Sequence, residues 1–363
     1  MADAAWDLSG QAAFRDGVQA ELDRFLDGQA ERLAPLGDDA QRLVAEARAV
    51  VSGGKRFRAA FCHWGFLAAG GGEDEAPAVR RAASALELLH ASALVHDDLM
   101  DASDTRRGRP ATHRGFAAEH RAAGWRGDPE QYGAAGSILL GDLLLSWADE
   151  LLRRCGLPWE RVGAALEVFD LCRSEVIAGQ FLDVSVQARG RADVDAAMTV
   201  LRYKSAKYSI ERPLHVGAAL AGADADTVAA LSAFGLPLGE AFQLRDDLLG
   251  VFGDPVTTGK PAGDDLVEGK RTVLVALALD TAPPEEARRL DAALGSPLTE
   301  EQVTELRAII ERSGAHAQVE QVIEELGARA VSSLARGREQ VGLDPRACAV
   351  LESLAAAATQ RAL

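Results

Sequence analysis

The 363-residue chain contains no asparagine, and lysine supplies five of its 39 basic residues. An excess of alanine and arginine over asparagine and lysine is what a GC-rich coding sequence produces. The lysines that remain, Lys55, Lys204, Lys207, Lys260 and Lys270, therefore mark positions worth reading. Cysteine is scarce too. Cys62, Cys155, Cys172 and Cys348 show no CxxC spacing, which argues against a zinc site or a disulfide scaffold. No apolar run approaches the roughly 18 residues of a membrane-spanning helix. Met1-Ala2-Asp3-Ala4 lacks the basic-then-apolar pattern of a secretory signal, so a cytoplasmic protein is expected. Positive charge is short as well: 55 acidic residues leave a net charge of −16. Such a chain repels nucleic acid and acidic membranes, and any phosphate it binds must be held by a local basic cluster. Neither GxGxxG after a strand nor GxxxxGK[ST] occurs, so nucleotide-binding folds are unsupported.

What is present is helical. Hydrophobic residues at 48% and charged residues at 26% are ordinary for a globular protein. Residues 84–100 place Leu86, Leu89, Ala93 and Leu94 on one face at a period near 3.6. Residues 137–155, 160–187, 195–221 and 226–250 read the same way, and Thr299-Glu300-Glu301 followed by Ser313-Gly314 marks a start and a stop. Period-2 strands are almost absent. Gly and Pro cluster at 104–136, 252–269 and 281–297, read as loops. The expectation is one all-α domain over residues 1–363, with residues 1–20 loosely ordered.

Two segments carry chemistry. His96-Asp97-Asp98-Leu99-Met100-Asp101 ends an apolar helix, and Asp97 and Asp101 project from it about 40° apart. Like charges at that spacing are unfavourable unless a cation lies between them, and the helix C-terminus makes them more so. Carboxylates without Cys or His suit Mg²⁺. Asp104-Thr105-Arg106-Arg107-Gly108-Arg109 follows directly, and arginine forks grip phosphate oxygens. The alternative is a solvated acidic helix end. The second segment, Gln243-Leu244-Arg245-Asp246-Asp247 with Gly250 and Asp254 (246–254 as a motif), runs into Lys260, Asp264, Asp265, Lys270 and Arg271. Two such halves are hard to read as solubility devices. Together they could grip a diphosphate through metals.

With Gly53-Gly54-Lys55-Arg56-Phe57-Arg58, Gly179-Gln180-Phe181-Leu182-Asp183 and Lys204-Ser205 added, the set resembles the trans-isoprenyl diphosphate synthases of the polyprenyl synthetase family. The motifs span roughly residues 50–275. The resemblance implies an all-helical isoprenoid-synthase bundle around a central cavity. It implies that Lys55, Arg58, His90 and Arg107 hold the diphosphate of isopentenyl diphosphate. Asp97, Asp98, Asp101, Asp246 and Asp247 would hold Mg²⁺, three ions per active site with Mn²⁺ able to substitute. Arg106, Lys204 and Lys260 would contact the allylic diphosphate, with Lys270 near its rim. Ser205 and Gln243 would set oxygen dipoles near the allylic cation, and Asp183 would be an auxiliary acid. A homodimer is implied too.

One departure stands out: Gly250 replaces the third Asp of the second motif, and Asp254 is the candidate substitute. The chemistry needs charge stabilised on a leaving group and no protein nucleophile, and no persuasive Ser-His-Asp or Cys-His set is present. For product length, the resemblance places the floor near Ser92 and Ala93, too small to stop growth at C15. Leu89 and Leu86 lie deeper. The expected product is geranylgeranyl diphosphate (C20), with C25 or longer, or C15, as alternatives. A terpene cyclase would not need Lys55, Arg58 and His90, and a silent partner subunit would not keep both Asp-rich segments. His63, His113, His120, His215 and His316 read as structural or surface, the five tryptophans as packing residues, and Lys207 as a helix-surface charge.

Overall fold

The computed structural model describes residues 8–190, 193–254 and 263–359. Its regular structure is helical apart from one small hairpin, as the period-3.6 patterning implies. The chain divides into two compact units, residues 1–167 with 216–223, and residues 168–215 with 224–363.

In the first unit, α1 (Leu8–Leu33), α2 (Asp38–Val51) and α3 (Phe57–Ala68) lead into α4 (Ala76–Met100), which ends at the first Asp-rich motif. Helices α5 (Thr112–Ala123) and α6 (Pro129–Arg153) pack beside it. Three glycines on α6 allow this: added Cβ atoms at Gly133, Gly136 and Gly141 would strike the His113 backbone, the Phe116 ring and the His96 ring. The loosely ordered start does not hold for residues 8–20. They are helical, with Phe14 and Val18 buried.

The second unit contains the rest of α7 (Trp159–Arg189), α8 (Val194–Val200), a π-helical segment Leu201–Glu211, the start of α9 (Arg212–Ala221) and α10 (Ala225–Phe252). It continues through α11 (Asp264–Val267), α12 (Val273–Thr281), α13 (Pro284–Ala293), α14 (Glu300–Arg312), α15 (Ala315–Gln340) and α16 (Pro345–Thr359). Leu244, Leu248, Leu274, Ile309 and Ile310 centre its core. Helix starts follow the capping chemistry: the Asp224 side chain accepts from Thr227 N at 2.8 Å, and Thr299 with Gln302 forms a capping box.

Three further expectations change. The Gly- and Pro-rich stretches hold helices as well as loops, because Pro129 and Pro284 occupy first-turn positions where a missing N–H costs nothing. The 195–221 helix is not uniformly α: its middle is a π-helix, a rare form that concentrates at functional sites. Trp125 and Trp159 are exposed rather than packed, whereas Trp64 and Trp147 are buried.

Candidate active site

The Gly53–Arg58 turn is bent into an unusual shape. Gly53, Gly54 and Arg56 all take positive φ, and only at Arg56 does this carry a steric penalty, about 1–2 kcal/mol. Buried hydrogen bonds offset it. The Arg56 guanidinium donates to Glu87 Oε2 at 3.1 Å, Gln19 Oε1 at 2.7 Å and Val51 O at 2.5 Å, and Ala59 N donates to Glu87 Oε1. Arg56 is thus a structural anchor within the motif, and removing one partner of its buried pair with Glu87 costs about 3–5 kcal/mol. The anchored turn leaves Lys55 exposed and Arg58 half-buried.

His90, half-buried on α4, lies among these cations. Burial first, then the charges of Arg58, Arg107, Arg106 and Arg56, hold its imidazole well below the usual histidine range, so it is neutral. Arg107 is opposed in the same way, by its own desolvation and by Arg56, Arg106 and Arg58, although Glu87 favours its charge. Its guanidinium packs on Gly54 and donates to Ser52 O at 3.3 Å. Groups that raise one another's energy in this way are stabilised together by one bound anion.

The first Asp-rich motif closes α4. Asp97 and Asp101 are half-buried, and Asp101 N donates to Asp97 O across the last turn. Asp98 is buried and points elsewhere. Arg106 Nε donates to its two oxygens at 2.9 and 3.2 Å, and Arg106 Nη2 donates to Oδ1 as well. Asp98 therefore orients a guanidinium, a task the sequence did not reveal. The pair depends on a hairpin in which Thr105–Arg106 (β1) pairs with Arg109–Pro110 (β2). Its two-residue loop, Arg107-Gly108, has positive φ at both positions, the type I′ pattern that matches strand twist.

Of the chain-length residues, Ser92 is buried and its hydroxyl donates to Gly141 O at 2.7 Å, on α6. It belongs to the α4–α6 contact. Ala93 is half-buried, and Leu89 and Leu86 are buried.

In the second unit, α10 carries Gln243, Asp246 and Asp247. Gln243 Nε2 donates to Asp247 Oδ1 at 2.9 Å. Burial pushes the Asp247 carboxyl up to about 8; the charges of Asp265 and Asp246 push the same way, against Gln243 and Lys270. Gly250 has a specific neighbour: a Cβ there would collide with the carboxylate of Asp265. Asp265 thus stands beside the position left empty by the missing third acid, whereas Asp254 is exposed. Lys270 Nζ lies 2.5 Å from Glu268 Oε2 and 3.7 Å from Asp265 Oδ1. Lys260 falls outside the described residues.

The π-helical segment carries Lys204 and Ser205, both half-buried. Lys204 Nζ donates to Asp183 Oδ2 on α7 at 2.5 Å. Gln180 is half-buried on the same helix. Lys207 is not a surface charge: its side chain is 13% exposed and Nζ donates to Glu175 Oε1 at 2.8 Å. His63, His113, His120 and His215 are buried, as structural histidines should be.

Among the described residues no three His, Cys, Asp or Glu side chains converge into a ready-made metal cage. Mg²⁺ asks for less, since one or two carboxylates plus substrate phosphates and water usually complete its shell. Asp97 with Asp101, and Asp246 beside the space that Gly250 opens to Asp265, are oxygen donors of that kind. The residues fit the metal.

The sequence model of the polyprenyl synthetase family matches residues 40–312. A short chain isoprenyl diphosphate synthase of Methanothermobacter thermautotrophicus is 35% identical over 274 residues, 75% of this chain and 77% of that protein. A geranylgeranyl diphosphate synthase of Mycobacterium tuberculosis is 36% identical over 266 residues, 72% of this chain and 69% of that one. The crystal structure of geranylgeranyl pyrophosphate synthase from Corynebacterium glutamicum, complexed with isoprenyl diphosphate and magnesium, matches with a TM-score of 0.92. It is 42% identical and covers 96% of this chain and 99% of that one. The chain belongs to the polyprenyl synthetase family. It is a trans-prenyltransferase of the chain-elongating kind.

The raised Asp247 carboxyl gives a test without substrate. Its folded form keeps a proton from about pH 4 to about 8 that the unfolded chain releases, so it costs stability as pH rises through that window. In protein stripped of metal by a chelator, Asp247→Asn is expected to raise stability at pH 7 by on the order of 2–4 kcal/mol and to flatten its pH dependence. Urea unfolding at pH 5 and pH 7 measures both; no gain at pH 7 would contradict the assignment.

Proposed function

We propose that the protein condenses isopentenyl diphosphate with allylic diphosphates, and that its main product is geranylgeranyl diphosphate. The observation that carries the reading is that, within each unit, cations are held on carboxylates next to an Asp-rich helix end: Arg106 on Asp98, and Lys270 on Glu268 beside Asp265. That arrangement suits a leaving diphosphate better than it suits a nucleophile. In this reading Lys55, Arg58, Arg107 and neutral His90 bind isopentenyl diphosphate. Asp97, Asp101 and Asp246 hold three Mg²⁺, with Mn²⁺ an acceptable substitute, and Asp265 takes the part of the missing third acid. Asp98 and Asp247 sit behind these ligands, orienting Arg106 and Gln243.

Bound Mg²⁺ supplies Lewis-acid stabilisation to the departing allylic diphosphate. Arg106 and Lys204, with Lys260 and Lys270, orient the same group and stabilise its growing charge. Ser205 and Gln243 turn oxygen atoms toward the allylic carbon as its bond to oxygen breaks. The isopentenyl double bond then attacks that carbon, and a proton leaves C2 of the isopentenyl unit to a diphosphate oxygen. No protein base is required.

Leu171, Ile177, Phe181 and Leu182 form an exposed apolar stripe on α7, with Phe181 71% exposed, and such a stripe supports a homodimer. Phe181→Glu is then expected to yield monomers in light scattering; an unchanged dimer would remove the stripe from the interface. No helix among the described residues is long and apolar enough to cross a membrane. With all four cysteines buried and no disulfide among the described residues, this supports a cytoplasmic enzyme.

Activity is expected to require Mg²⁺ or Mn²⁺, and Asp97→Ala or Asp246→Ala to lower turnover by at least about 10²-fold. Asp265→Asn should cost much more than Asp254→Ala. Equal effects at 254 and 265 in steady-state assays would contradict the role given to Asp265.

Product length follows from space. Each isoprene added to a buried tail contributes roughly 3–4 kcal/mol, so a steric floor has to stop growth. Chromatography of dephosphorylated products is expected to give C20, and Ala93→Phe to shift it toward C15. Ser92→Phe is a poorer probe, because it breaks the hydrogen bond to Gly141. A wild-type product of C15 would refute the open floor at Ala93, and C25 would place the floor deeper than Leu89.

A further inference from the structure

Glu175, Gly179 and Asp183 are spaced four apart on α7 and so stack along one side of it. Each meets the π-helical segment or the residue that follows it. Glu175 Oε1 accepts from Lys207 Nζ and from Arg212 Nη2, both at 2.8 Å, and its Oε2 accepts from Arg212 Nε at 2.7 Å. A Cβ at Gly179 would run into the backbone of Tyr203 and Lys204. Asp183 takes the Lys204 ammonium. The Glu175, Lys207 and Arg212 side chains are 11–13% exposed, so the clamp is shielded from solvent.

Lys207 and Arg212 are five residues apart. On an α-helix, at about 100° per residue, they would point about 140° away from each other. In a helix closed by i→i+5 hydrogen bonds they return to nearly the same face. One carboxylate gripping both side chains therefore matches the π register. The far end is pinned as well: Arg212 Nη1 donates to His215 Nδ1 at 3.0 Å, His215 Nε2 donates to Ser232 Oγ at 2.8 Å, and Ser232 Oγ donates to Glu211 Oε1 at 3.0 Å.

We infer that Glu175 is a positioning residue: by clamping Lys207 and Arg212 it holds residues 201–211 in the π register that sets Lys204 against Asp183. The effect on catalysis rests on the reading of Lys204 as a ligand of the allylic diphosphate. Nothing in the clamp touches substrate.

The test compares Glu175→Gln with Lys207→Met, which keeps the Arg212 fork, and with Lys204→Ala as reference. Hydrogen exchange over residues 201–211 and the KM for dimethylallyl and isopentenyl diphosphates are measured on the full chain. Glu175→Gln is expected to speed exchange at least about tenfold, raise the dimethylallyl KM at least about fivefold and leave the isopentenyl KM within about twofold. Lys207→Met should act in the same direction by less, and it decides the matter if Glu175→Gln does not fold. Unchanged exchange, or equal shifts in both KM values, overturns the inference. Loosened exchange with a Lys204→Ala variant of normal dimethylallyl KM would support the clamp and refute the allylic reading of Lys204.

Discussion

Everything near the motifs depends on one constraint: a chain of net charge −16 has to keep concentrated positive charge in place. It does so by tethering individual cations to buried or half-buried carboxylates. Arg56 is held by Glu87, Arg106 by Asp98, Lys204 by Asp183, Lys207 and Arg212 by Glu175, and Lys270 by Glu268. Long flexible side chains lose rotamer entropy of up to roughly 2 kcal/mol on ordering. A cation already ordered by its tether does not incur that cost again when it meets a diphosphate, which is the electrostatic preorganisation that charge-separating chemistry requires.

Backbone strain is concentrated in the same segments. Among the described residues the non-glycine positions with positive φ are Arg56, Ala102 and Arg107. Arg56 shapes the turn that presents Lys55 and Arg58. Ala102 precedes the hairpin that returns Arg106 to Asp98, and Arg107 lies in its loop. Strained residues persist only where their surroundings over-determine them, and here buried hydrogen bonds at Glu87 and Asp98 do so.

The helical architecture was legible because apolar spacing at period 3.6 and capping residues such as Thr299 act locally. The Asp-rich ends and their neighbouring cations were legible because charge clustered against the solvation rule has few explanations. What stayed hidden were pairings between segments distant in sequence. Asp98 reads as a metal acid until its carboxylate is seen on Arg106, and Lys207 reads as a surface charge until Glu175, 32 residues earlier, is found against it. Nothing in a linear reading tells that Asp265 fills the space beside Gly250. The π register was invisible for the same reason: its signal is a five-residue spacing whose partner lies on another helix.

On the proposed reading, the cations around His90 bind an anion without metal, whereas the Asp-rich ends need it. Calorimetric titration of inorganic diphosphate separates the two. Without Mg²⁺, one equivalent per chain is expected to bind, and Arg58→Ala to weaken it. Added Mg²⁺ should open a second equivalent that Asp97→Ala removes while leaving the first intact. A single equivalent under both conditions would rule out the metal-dependent site, and no binding at all until Mg²⁺ is added would rule out a metal-independent site at His90.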